Sequence, residues 1–482
     1  MNAQNFPSAL LTDFYSLTMS QGYWKQNPER QAVFEMFFRR QPFGGGYAIF
    51  AGLETLLENL KNFVFSKDDI AYLKSLNMFE ADFISWLENF RFTGSVWAMD
   101  EGTVIFPQEP IIRIEGNLIE CQLIEGMLLN TINFQSLIAT KTRRVWLASS
   151  KGAVMEFGLR RAQGPDGALS ATRAAFIGGA IGTSNSLAGK IFDIPVLGTM
   201  AHSWIMSFPD EEAAFDAYAR IYPDSSVFLV DTYDTLKSGV PSAIRAGKKL
   251  KEKGKNFGIR LDSGDVHYLS VEARRMLDEA GLTQATIAAS NDLDESIIET
   301  LVNAGAPVNS WGVGTNMVTG GTDSSFTGVY KLAARQDADG SFIPVMKFSD
   351  NPEKTSNPGV KQVWRIKDSR GSAIADIMSV GAEDILLRDS RYAFWHPQAD
   401  YRHFYYQIEG SVEPLLKQYM QNGELCLSLP SLREIQSRSS RELDCFDHSY
   451  KRLLNPHVYK ISITEKLRGL KLELIKNYLG EQ

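Results

Sequence analysis

Cysteine is scarce in this sequence, and long apolar runs are missing from it. The 482 residues contain three cysteines, Cys121, Cys426 and Cys445, an odd number without CxxC spacing, which argues against a disulfide framework and a zinc site. Such cysteine usage is typical of a reducing compartment, so we expect a cytoplasmic protein. No run of eighteen apolar residues occurs, and the first thirty residues lack a basic segment followed by an apolar core. The sequence therefore predicts a soluble protein without a membrane span or targeting segment.

The sequence also lacks a long block of charge of one sign. Fifty basic residues against 57 acidic residues give a formal net charge of −7, without a long block of either sign. This pattern disfavours binding to nucleic acid, so small molecules are the expected partners and any anion site must be local. A Walker loop is absent because residues 182–190 have the wrong spacing for one, so ATP, if used, is not bound in that manner.

What the chain does have is a regular alternation of strand-like and helical segments after Gly152. Its length favours about three domains, and 44% hydrophobic residues are enough for a large core. The strand-like runs are 153–157, 194–197, 227–230, 257–261, 286–289 and 311–313. Alternation with helices predicts a parallel sheet, and about six such repeats favour closure into an α/β barrel.

The segments on either side predict further domains. We assign residues 1–150 to an N-terminal α/β domain, which can also receive later strands, and residues 151–335 to the barrel with the active site. Residues 336–482 form the remaining segment, which includes a Pro-, Gly- and Ser-rich stretch at 349–359 that we expect to be a mobile flap.

Polar or small residues follow five of the strand-like runs. They are Arg160 after the first, His202 after the second, Asp231 after the third, Asp262 after the fourth with Arg260 just inside its end, and Gly314 with Thr315 after the sixth. Each has a structural alternative, such as an aspartate that caps a helix or a glycine needed for close packing. Because parallel strands end at one edge, their joint occurrence predicts an active site there.

The chemistry of these residues indicates a phosphorylated sugar that meets a flat anionic ring. Gly314 and Thr315 offer backbone N–H groups near a helix start, an arrangement that holds a phosphate monoester. Asp262 is suited to accept hydrogen bonds from ribose hydroxyls. Arg160 and Arg260 can neutralise an anion, and their planar guanidinium groups can stack on a ring.

Five further cations are candidates for pyrophosphate or ATP. Arg39 and Arg40 precede a glycine-rich turn, where guanidinium groups and exposed N–H groups suit an oxyanion, although a solvated strand end would look the same. Lys331, Lys347 and Lys354 lie in or near the predicted flap and can reach a pyrophosphate, although lysines on a flap are commonly solvated.

Six motifs occur in one order and spacing between residues 10 and 319, and the resemblance that they carry covers essentially the whole chain. They are LLTDFYSLTM at 10–19, FFRRQPFGGGYAIFAGL at 37–53, EFGLRRAQGPDG at 156–167, GTMAHSWIMSF at 198–208, IRLDSGD at 259–265 and GVGTNMVT at 312–319. In these motifs the chain resembles the nicotinate phosphoribosyltransferase family. The resemblance implies an irregular TIM-like α/β barrel with an N-terminal sandwich-like α/β domain and a smaller C-terminal extension. It also implies a head-to-tail homodimer with composite active sites.

The resemblance implies catalytic and phosphate-binding roles at matching positions. His202 resembles the histidine that ATP phosphorylates in this family, and Asp231 resembles an acid that holds its ring. Asp262 resembles the ribose-binding acid, and Gly314 with Thr315 resembles the site of the 5-phosphate.

A second set of implied roles concerns the pyridine ring. Tyr15 from the neighbouring subunit, Thr199 and Arg260 resemble the nicotinate contacts, and Phe157 resembles a stacking partner. Asn185 stands near the place where nicotinamide-using relatives carry an aspartate, and a neutral residue there fits a carboxylate substrate.

The implied reaction joins nicotinate to 5-phosphoribosyl 1-diphosphate, with Mg²⁺ as cofactor and ATP as co-substrate. The expected products are nicotinate mononucleotide, diphosphate, ADP and phosphate. A nicotinamide or quinolinate phosphoribosyltransferase remains an alternative, as does a catalytically silent, nucleotide-sensing paralogue, although such a paralogue should have lost His202, Arg260 or Asp262. The metal ligands are not predicted.

Overall fold

The computed structural model describes residues 8–349, 351, 354–381 and 386–480. Its internal contacts divide the chain into two compact units, which we call the discontinuous unit (Met1–Leu137 and Ser325–Gln482) and the barrel unit (Ile138–Ser324). The division into segments 1–150, 151–335 and 336–482 stays a prediction. Three positions of the expected flap, 350, 352 and 353, lie outside the described residues.

The barrel unit is built on a six-stranded sheet in which every neighbouring pair is parallel. From edge to edge its strands are Gly182–Thr183, Ala153–Glu156, Ser310–Val313, Thr286–Ala289, Gly258–Leu261 and Val227–Leu229. The central strands are short and mostly buried, as expected for a parallel sheet covered on both faces. Five of the six predicted runs are therefore confirmed as strands.

The prediction for the run at 194–197 is wrong in extent. Only a single parallel bridge joins Val196 to Thr183. Pro195 has no N–H to donate to a ladder, although its carbonyl accepts a hydrogen bond from the Thr183 N–H at 3.0 Å. The two-residue strand that contains Thr183 was not predicted, because it is too short to show a periodic pattern.

Helices connect the strands of the barrel unit, as the alternation predicts. They are Gly164–Gly178, Ser186–Phe192, His202–Met206, Glu211–Ile221, Val240–Glu252, Val266–Glu279, Glu295–Asn303 and Thr315–Val318, with a 3₁₀ turn at Leu159–Arg161 and a π-helical turn at Thr235–Gly239. Aspartate caps begin several of them. Asp265 accepts a hydrogen bond from the Tyr268 N–H at 3.1 Å, and Asp294 accepts one from the Ile297 N–H at 2.8 Å.

The discontinuous unit contains two large sheets and a small one. The seven-stranded, antiparallel sheet runs in the order Phe342–Pro344, Gly328–Gln336, Gln31–Phe38, Ile112–Asn117, Ser95–Ala98, Lys417–Gln421 and Glu424–Leu425. The six-stranded sheet runs in the order His403–Gln407, Arg391–Trp395, Ile461–Ile463, Ala373–Val380, Lys361–Lys367 and Val412–Pro414. The short strands Ala48–Ile49 and Val104–Ile105 pair with each other.

The helices of the discontinuous unit lie mainly in its N-terminal part. They are Phe14–Gln26, Leu53–Lys61, Lys67–Ser75, Ala81–Glu88, Leu118–Leu123, Leu432–Asp444, His448–Lys451 and Glu465–Leu479, with a 3₁₀ turn at Pro42–Gly44; the helix Glu125–Ala148 contains the boundary between the units. Within the described ranges, we find no helix that combines the length and the hydropathy needed to cross a membrane.

A buried ion cluster fastens one helix of the barrel unit. Glu295 pairs with Lys141 Nζ at 2.5 Å and with Arg144 Nε at 2.9 Å, and all three side chains are nearly inaccessible to solvent. Burial by itself raises the pKa of Glu295, but Lys141 and Arg144 outweigh it, so the pKa lies below its ordinary value. The charged carboxylate therefore stabilises the folded chain.

We expect Glu295→Gln to lower the free energy of unfolding by about 3 kcal/mol, because it leaves two cations buried without their anion. Since the pKa of Glu295 is lower in the folded state than in the unfolded state, its contribution is present at neutral pH and is lost as the pH falls through that lowered pKa. The measurement is the thermal midpoint of the variant against the native chain at neutral and acidic pH. Glu299→Gln on the same helix is the control, and an equal midpoint for both variants would contradict the assignment.

Candidate active site

The carboxyl ends of the barrel-unit strands bring candidate site residues to one edge. Because all six strands are parallel, the residues that directly follow them share that edge; they include Phe157, Asp262, Ser290 and Gly314. Asn185 and Asp231 each follow their strand by two positions. The edge therefore collects carboxylates, a hydroxyl, an amide and a glycine.

Asp231 and Asp262 are joined through the backbone. Asp231 Oδ2 accepts hydrogen bonds from the Asp262 N–H and from Ser263 Oγ, each at 2.7 Å. Ser290 Oγ donates to Asp262 Oδ1. Asp262 makes no cap, since Asp265 caps the helix that follows. The alternative that Asp262 only caps a helix is therefore wrong. Its second carboxylate oxygen, Oδ2, remains available for another role.

His202 lies at the start of the helix His202–Met206 and is about two-fifths exposed. Its Nδ1 lies 3.0 Å from Thr232 Oγ1, and its Nε2 lies 3.7 Å from Asp262 Oδ2. Asp231, which the resemblance places against the ring, instead holds the backbone of Asp262. The residue in hydrogen-bond contact with the imidazole is Thr232, one position further along the same loop.

Two hydrogen bonds hold the Arg260 side chain in a fixed orientation at this edge of the sheet. One terminal nitrogen donates to Thr199 Oγ1 at 2.8 Å and the other donates to the Met200 carbonyl at 3.1 Å. Its Nε is buried and has no hydrogen-bond partner among the described residues. Burial lowers the pKa of the Arg260 guanidinium. Asp262 and Asp231 oppose that shift, and Arg160 adds to it. The guanidinium is therefore a half-buried cation with unused donor capacity.

Close packing surrounds Phe157 beside this edge. Its N–H donates to the Val313 carbonyl at 2.9 Å. A Cβ on Gly312 would lie 2.6 Å from Phe157 Cδ2, so only glycine fits there. Gly314 precedes the short helix Thr315–Val318. The predicted glycine-threonine turn is therefore explained in part by packing against Phe157, and it also presents the backbone at the edge.

A buried carboxylate anchors the loop that carries Arg160. Glu156 accepts hydrogen bonds from the Gly158 N–H, from Thr172 Oγ1 at 3.0 Å and from Thr183 Oγ1. Arg160 itself is exposed, on the turn that follows. Glu156 thus fixes the loop without facing the edge.

Asn185 is buried, and its side chain has a structural use. Its Oδ1 accepts a hydrogen bond from the Ala188 N–H at 3.2 Å and caps the helix Ser186–Phe192. Its backbone N–H donates to Thr183 Oγ1 at 2.9 Å. The amide nitrogen is the part of this side chain left for a ligand.

The discontinuous unit holds the remaining candidates, and two of them meet at Glu125. Tyr15 is half exposed and donates from its hydroxyl to Glu125 Oε2 at 3.2 Å. Lys331 Nζ lies 3.9 Å from Glu125 Oε1, and Gln122 Nε2 donates to Glu125 Oε2 at 2.8 Å. Burial raises the pKa of Tyr15, and the Glu125 charge raises it further.

Lys331 lies in a cationic neighbourhood. Burial lowers its pKa, Glu125 opposes that shift, and Arg39 and Lys347 add to it. Arg39 is half-buried, whereas Lys347 is exposed. Three of the five predicted pyrophosphate or ATP residues therefore interact electrostatically.

The other two predicted cations, Arg40 and Lys354, are exposed. The backbone N–H groups of Arg39 and Arg40 both donate to Thr327 Oγ1, at 3.3 and 3.1 Å, which fixes the end of their strand.

The sequence does not predict several residues that make contacts in this site. Thr232, Ser263 and Ser290 follow strands, and that position is the signal that could have identified them. Glu125 carries no local signal, since it begins a long helix and meets its partners only in three dimensions. Among the described residues, no group of three or more histidine, cysteine or acidic side chains could hold a metal ion.

Comparison with known families covers nearly the whole chain. Residues 10–133 match the N-terminal domain of nicotinate phosphoribosyltransferase, residues 153–369 match the nicotinate phosphoribosyltransferase family, and residues 360–471 match the C-terminal domain. The enzyme of that name from Bacillus subtilis is 42% identical over 474 residues, which are 97% of this chain and 95% of the relative. The human enzyme is 34% identical over 521 residues, covering 96% and 95%.

Solved structures agree with these matches. The crystal structure of human nicotinic acid phosphoribosyltransferase superposes with a TM-score of 0.84 at 31% identity, over 96% of this chain and 99% of that one. The nicotinate-nucleotide pyrophosphorylase from Pyrococcus furiosus shares the fold, with a TM-score of 0.70 at 24% identity over 91% and 95%. The predicted α/β fold with an irregular TIM-like barrel is confirmed. The chain belongs to the nicotinate phosphoribosyltransferase family.

Proposed function

We propose that this protein condenses nicotinate with 5-phosphoribosyl 1-diphosphate to nicotinate mononucleotide and diphosphate, coupled to hydrolysis of ATP. This is the first step of NAD synthesis from nicotinate. The observation that carries the proposal is the meeting of His202, Arg260 and Asp262 at one edge of the parallel sheet. Family membership supports the same conclusion.

Arg260 is the proposed partner of the nicotinate carboxylate. Thr199 and Met200 hold its guanidinium in place, so its free donors are preorganised for a planar anion. A carboxylate would also offset the burial that lowers the pKa of Arg260. Phe157 is the proposed stacking partner of the ring, and Thr199 and Asn185 are proposed to border it.

Asp262 is the proposed ribose-binding acid. In glycosyl transfer the sugar passes through an oxocarbenium-like state, which a fixed carboxylate stabilises without forming a bond. Ser290 holds one of its oxygens and the Asp231 carboxylate holds its N–H, so little reorganisation is needed during the reaction. Gly314 and Thr315 are proposed for the 5-phosphate and Arg160 for a neighbouring anion.

His202 is the proposed acceptor of the γ-phosphoryl group of ATP. If Nδ1–H donates to Thr232 Oγ1, Nε2 carries the lone pair and is the nucleophile. The phosphoryl group moves from ATP to the imidazole, ADP leaves, and later hydrolysis of the P–N bond releases phosphate. Thr232 therefore acts as a positioning residue, and Asp231 acts through the backbone of Asp262.

Mg²⁺ is proposed to arrive with the diphosphate and with ATP. Magnesium sites commonly use one or two carboxylates together with substrate phosphates, so a ready cluster of ligands is not required. Asp231 Oδ1 is buried and has no hydrogen-bond partner among the described residues, which makes Asp231 and Asp262 suitable donors. Bound Mg²⁺ would neutralise the charge of the leaving diphosphate.

The discontinuous unit is proposed to complete the active site of a second copy of the chain in a homodimer. Its Tyr15 is half exposed, as a ring contact for a neighbouring subunit must be, and Glu125 fixes the hydroxyl. Lys331, Arg39 and Lys347 supply positive charge for a pyrophosphate or ATP, as do Arg40 and Lys354. The proposed location is the cytoplasm, which fits three unpaired thiols.

The function is tested by product formation from nicotinate, nicotinamide and quinolinate, each with and without ATP. We expect nicotinate to be the preferred substrate and ATP to stimulate the reaction. Preference for nicotinamide, or release of CO₂ from quinolinate, would replace the substrate assignment. Absence of turnover with all three would favour the silent paralogue.

Replacing Arg260 with lysine should raise the KM for nicotinate by about tenfold to a hundredfold, since a charge-assisted, two-pronged contact becomes a single one. The KM for 5-phosphoribosyl 1-diphosphate should change much less. Steady-state kinetics with each substrate varied in turn measure both values. Arg275→Lys, in an exposed ion pair of the same unit, is the control. Unchanged nicotinate kinetics in Arg260→Lys and Arg260→Ala would remove the assignment.

His202→Ala should abolish acid-labile labelling by γ-labelled ATP and the stimulation of synthesis by ATP. Slow synthesis without ATP should persist, because the imidazole takes no part in the glycosyl transfer itself. Labelling, peptide mapping and product assays measure the three effects. His267→Ala is the matched control, since His267 lies in the same unit and contacts the Ala304 carbonyl.

A conservative pair of variants separates orientation of the ring from simple loss of structure. Thr232→Ser keeps the hydroxyl against His202 Nδ1 and should retain labelling, whereas Thr232→Val should slow it. Label on another residue, or ATP stimulation that survives His202→Ala, would refute the phosphohistidine proposal.

A further inference from the structure

The discontinuous unit contains a cavity of about 530 Å³ that shares a single residue, Arg39, with the residues proposed for the reaction. It is bordered by the strands His403–Gln407 and Ile461–Ile463 of the six-stranded sheet, by the residues that follow the strand Arg391–Trp395, and by Arg39, Pro107 and Gln108 of the N-terminal part. All of its lining residues belong to this unit and are described by the structure. The volume lies within the range of sites for small molecules.

The charge of the lining is of one sign. Six lining side chains are basic, namely Arg39, His396, Arg402, His403, His457 and Lys460, and none of the lining residues is acidic. Three of the six histidines of the chain thus line one cavity, in a protein whose net charge is −7. A concave surface with charge of one sign focuses the electric field and concentrates counter-ions.

Two acidic residues near the cavity are paired with cations that do not line it. Asp400 binds Arg468 through both oxygens, at 2.5 and 2.7 Å. Asp376 binds Arg365 in the same two-pronged manner and accepts the Tyr459 hydroxyl at 3.1 Å. Neither carboxylate is left to neutralise the cations of the lining.

Two lining residues have donors suited to an anion. His396 Nδ1 accepts the N–H groups of Gln398 and Ala399, both at 3.1 Å, so the ring proton is carried by Nε2. Burial lowers the pKa of His396, and the charges of Arg402 and Lys471 lower it further. Arg39 Nε is buried and has no hydrogen-bond partner among the described residues, which costs free energy unless a ligand accepts from it.

We propose that this cavity binds a multiply charged phosphate group, either free diphosphate or the phosphate chain of a small nucleotide. Two guanidinium groups, an ammonium group and three imidazoles offer many hydrogen-bond donors. The several oxygens of a phosphate chain can accept from all of them, whereas a single carboxylate has too few acceptor oxygens. Arg39, which the sequence assigns to pyrophosphate or ATP, shares this cavity with five further basic residues. Arg39 is the one residue that the site has in common with the proposed reaction, and the variants that test the site leave Arg39 in place.

The test is equilibrium dialysis of the full-length protein with labelled inorganic diphosphate at low ionic strength. We compare the native chain with the double variant Arg402→Ser, Lys460→Ser. Both side chains are exposed, so we expect their replacement to have little effect on folding. The double variant should lose one class of diphosphate sites, with affinity reduced at least about tenfold. Arg433→Ser, Lys476→Ser removes the same charge at exposed positions outside the cavity and should bind like the native chain.

Further arms identify the source of the phosphate and exclude an indirect effect. Competition by ATP assigns the site to a nucleotide, and its failure assigns the site to free diphosphate. Arg402→Lys, which keeps the charge, should retain most of the binding. The kcat for nucleotide synthesis should stay unchanged in the double variant, so failure of the proposed reaction and failure of this site are distinguishable. Equal diphosphate binding by the native chain and the double variant would overturn the inference.

Discussion

Parallel pairing of the strands is the constraint on which the candidate site depends. Six short strands run in one direction, so every loop that leaves a carboxyl end begins at the same edge. The hydrogen bond from the Asp262 N–H to Asp231 Oδ2 then locks two neighbouring loops together. This bond orients Asp262 toward Ser290 on one side and His202 on the other. Residues separated by up to about 160 positions thereby form one site.

Electrostatic preorganisation is the second feature of the molecule. Arg260 is a half-buried cation that protein acceptors satisfy only in part, and burial lowers its pKa, so an anionic ligand beside it would oppose the effect of burial. The basic cavity of the discontinuous unit follows the same principle at another place. Near the basic cavity, Asp376 is paired with Arg365, whereas Asp231 and Asp262 near Arg260 accept hydrogen bonds from a backbone N–H and from serine hydroxyls.

The contacts of single side chains decide which residues have a structural role, such as capping a helix or packing tightly, and which do not. Asp262 and Asp265 lie three positions apart, yet only Asp265 caps a helix. The turn that contains Gly312 and Gly314 packs tightly against Phe157, so the need for glycine there has a structural cause as well as any functional one. In the helix Glu465–Leu479, Leu467 belongs to the core, whereas Tyr478 is mostly exposed and stacks on Phe348.

The amino-acid sequence was enough to predict the class of fold, five strands of the parallel sheet and most of the residues at its edge, because buried strands and the polar residues after them leave a local, periodic pattern. Its ordered motifs also indicated the family. Three-dimensional packing was needed to show that Thr232, not Asp231, lies within hydrogen-bond distance of His202, that Glu125 joins Tyr15 to Lys331, and that Gly328–Gln336 pairs with Gln31–Phe38. Packing also brings three distant histidines to one cavity. Such contacts join residues far apart along the chain, and their distances are set by packing, which no local pattern encodes.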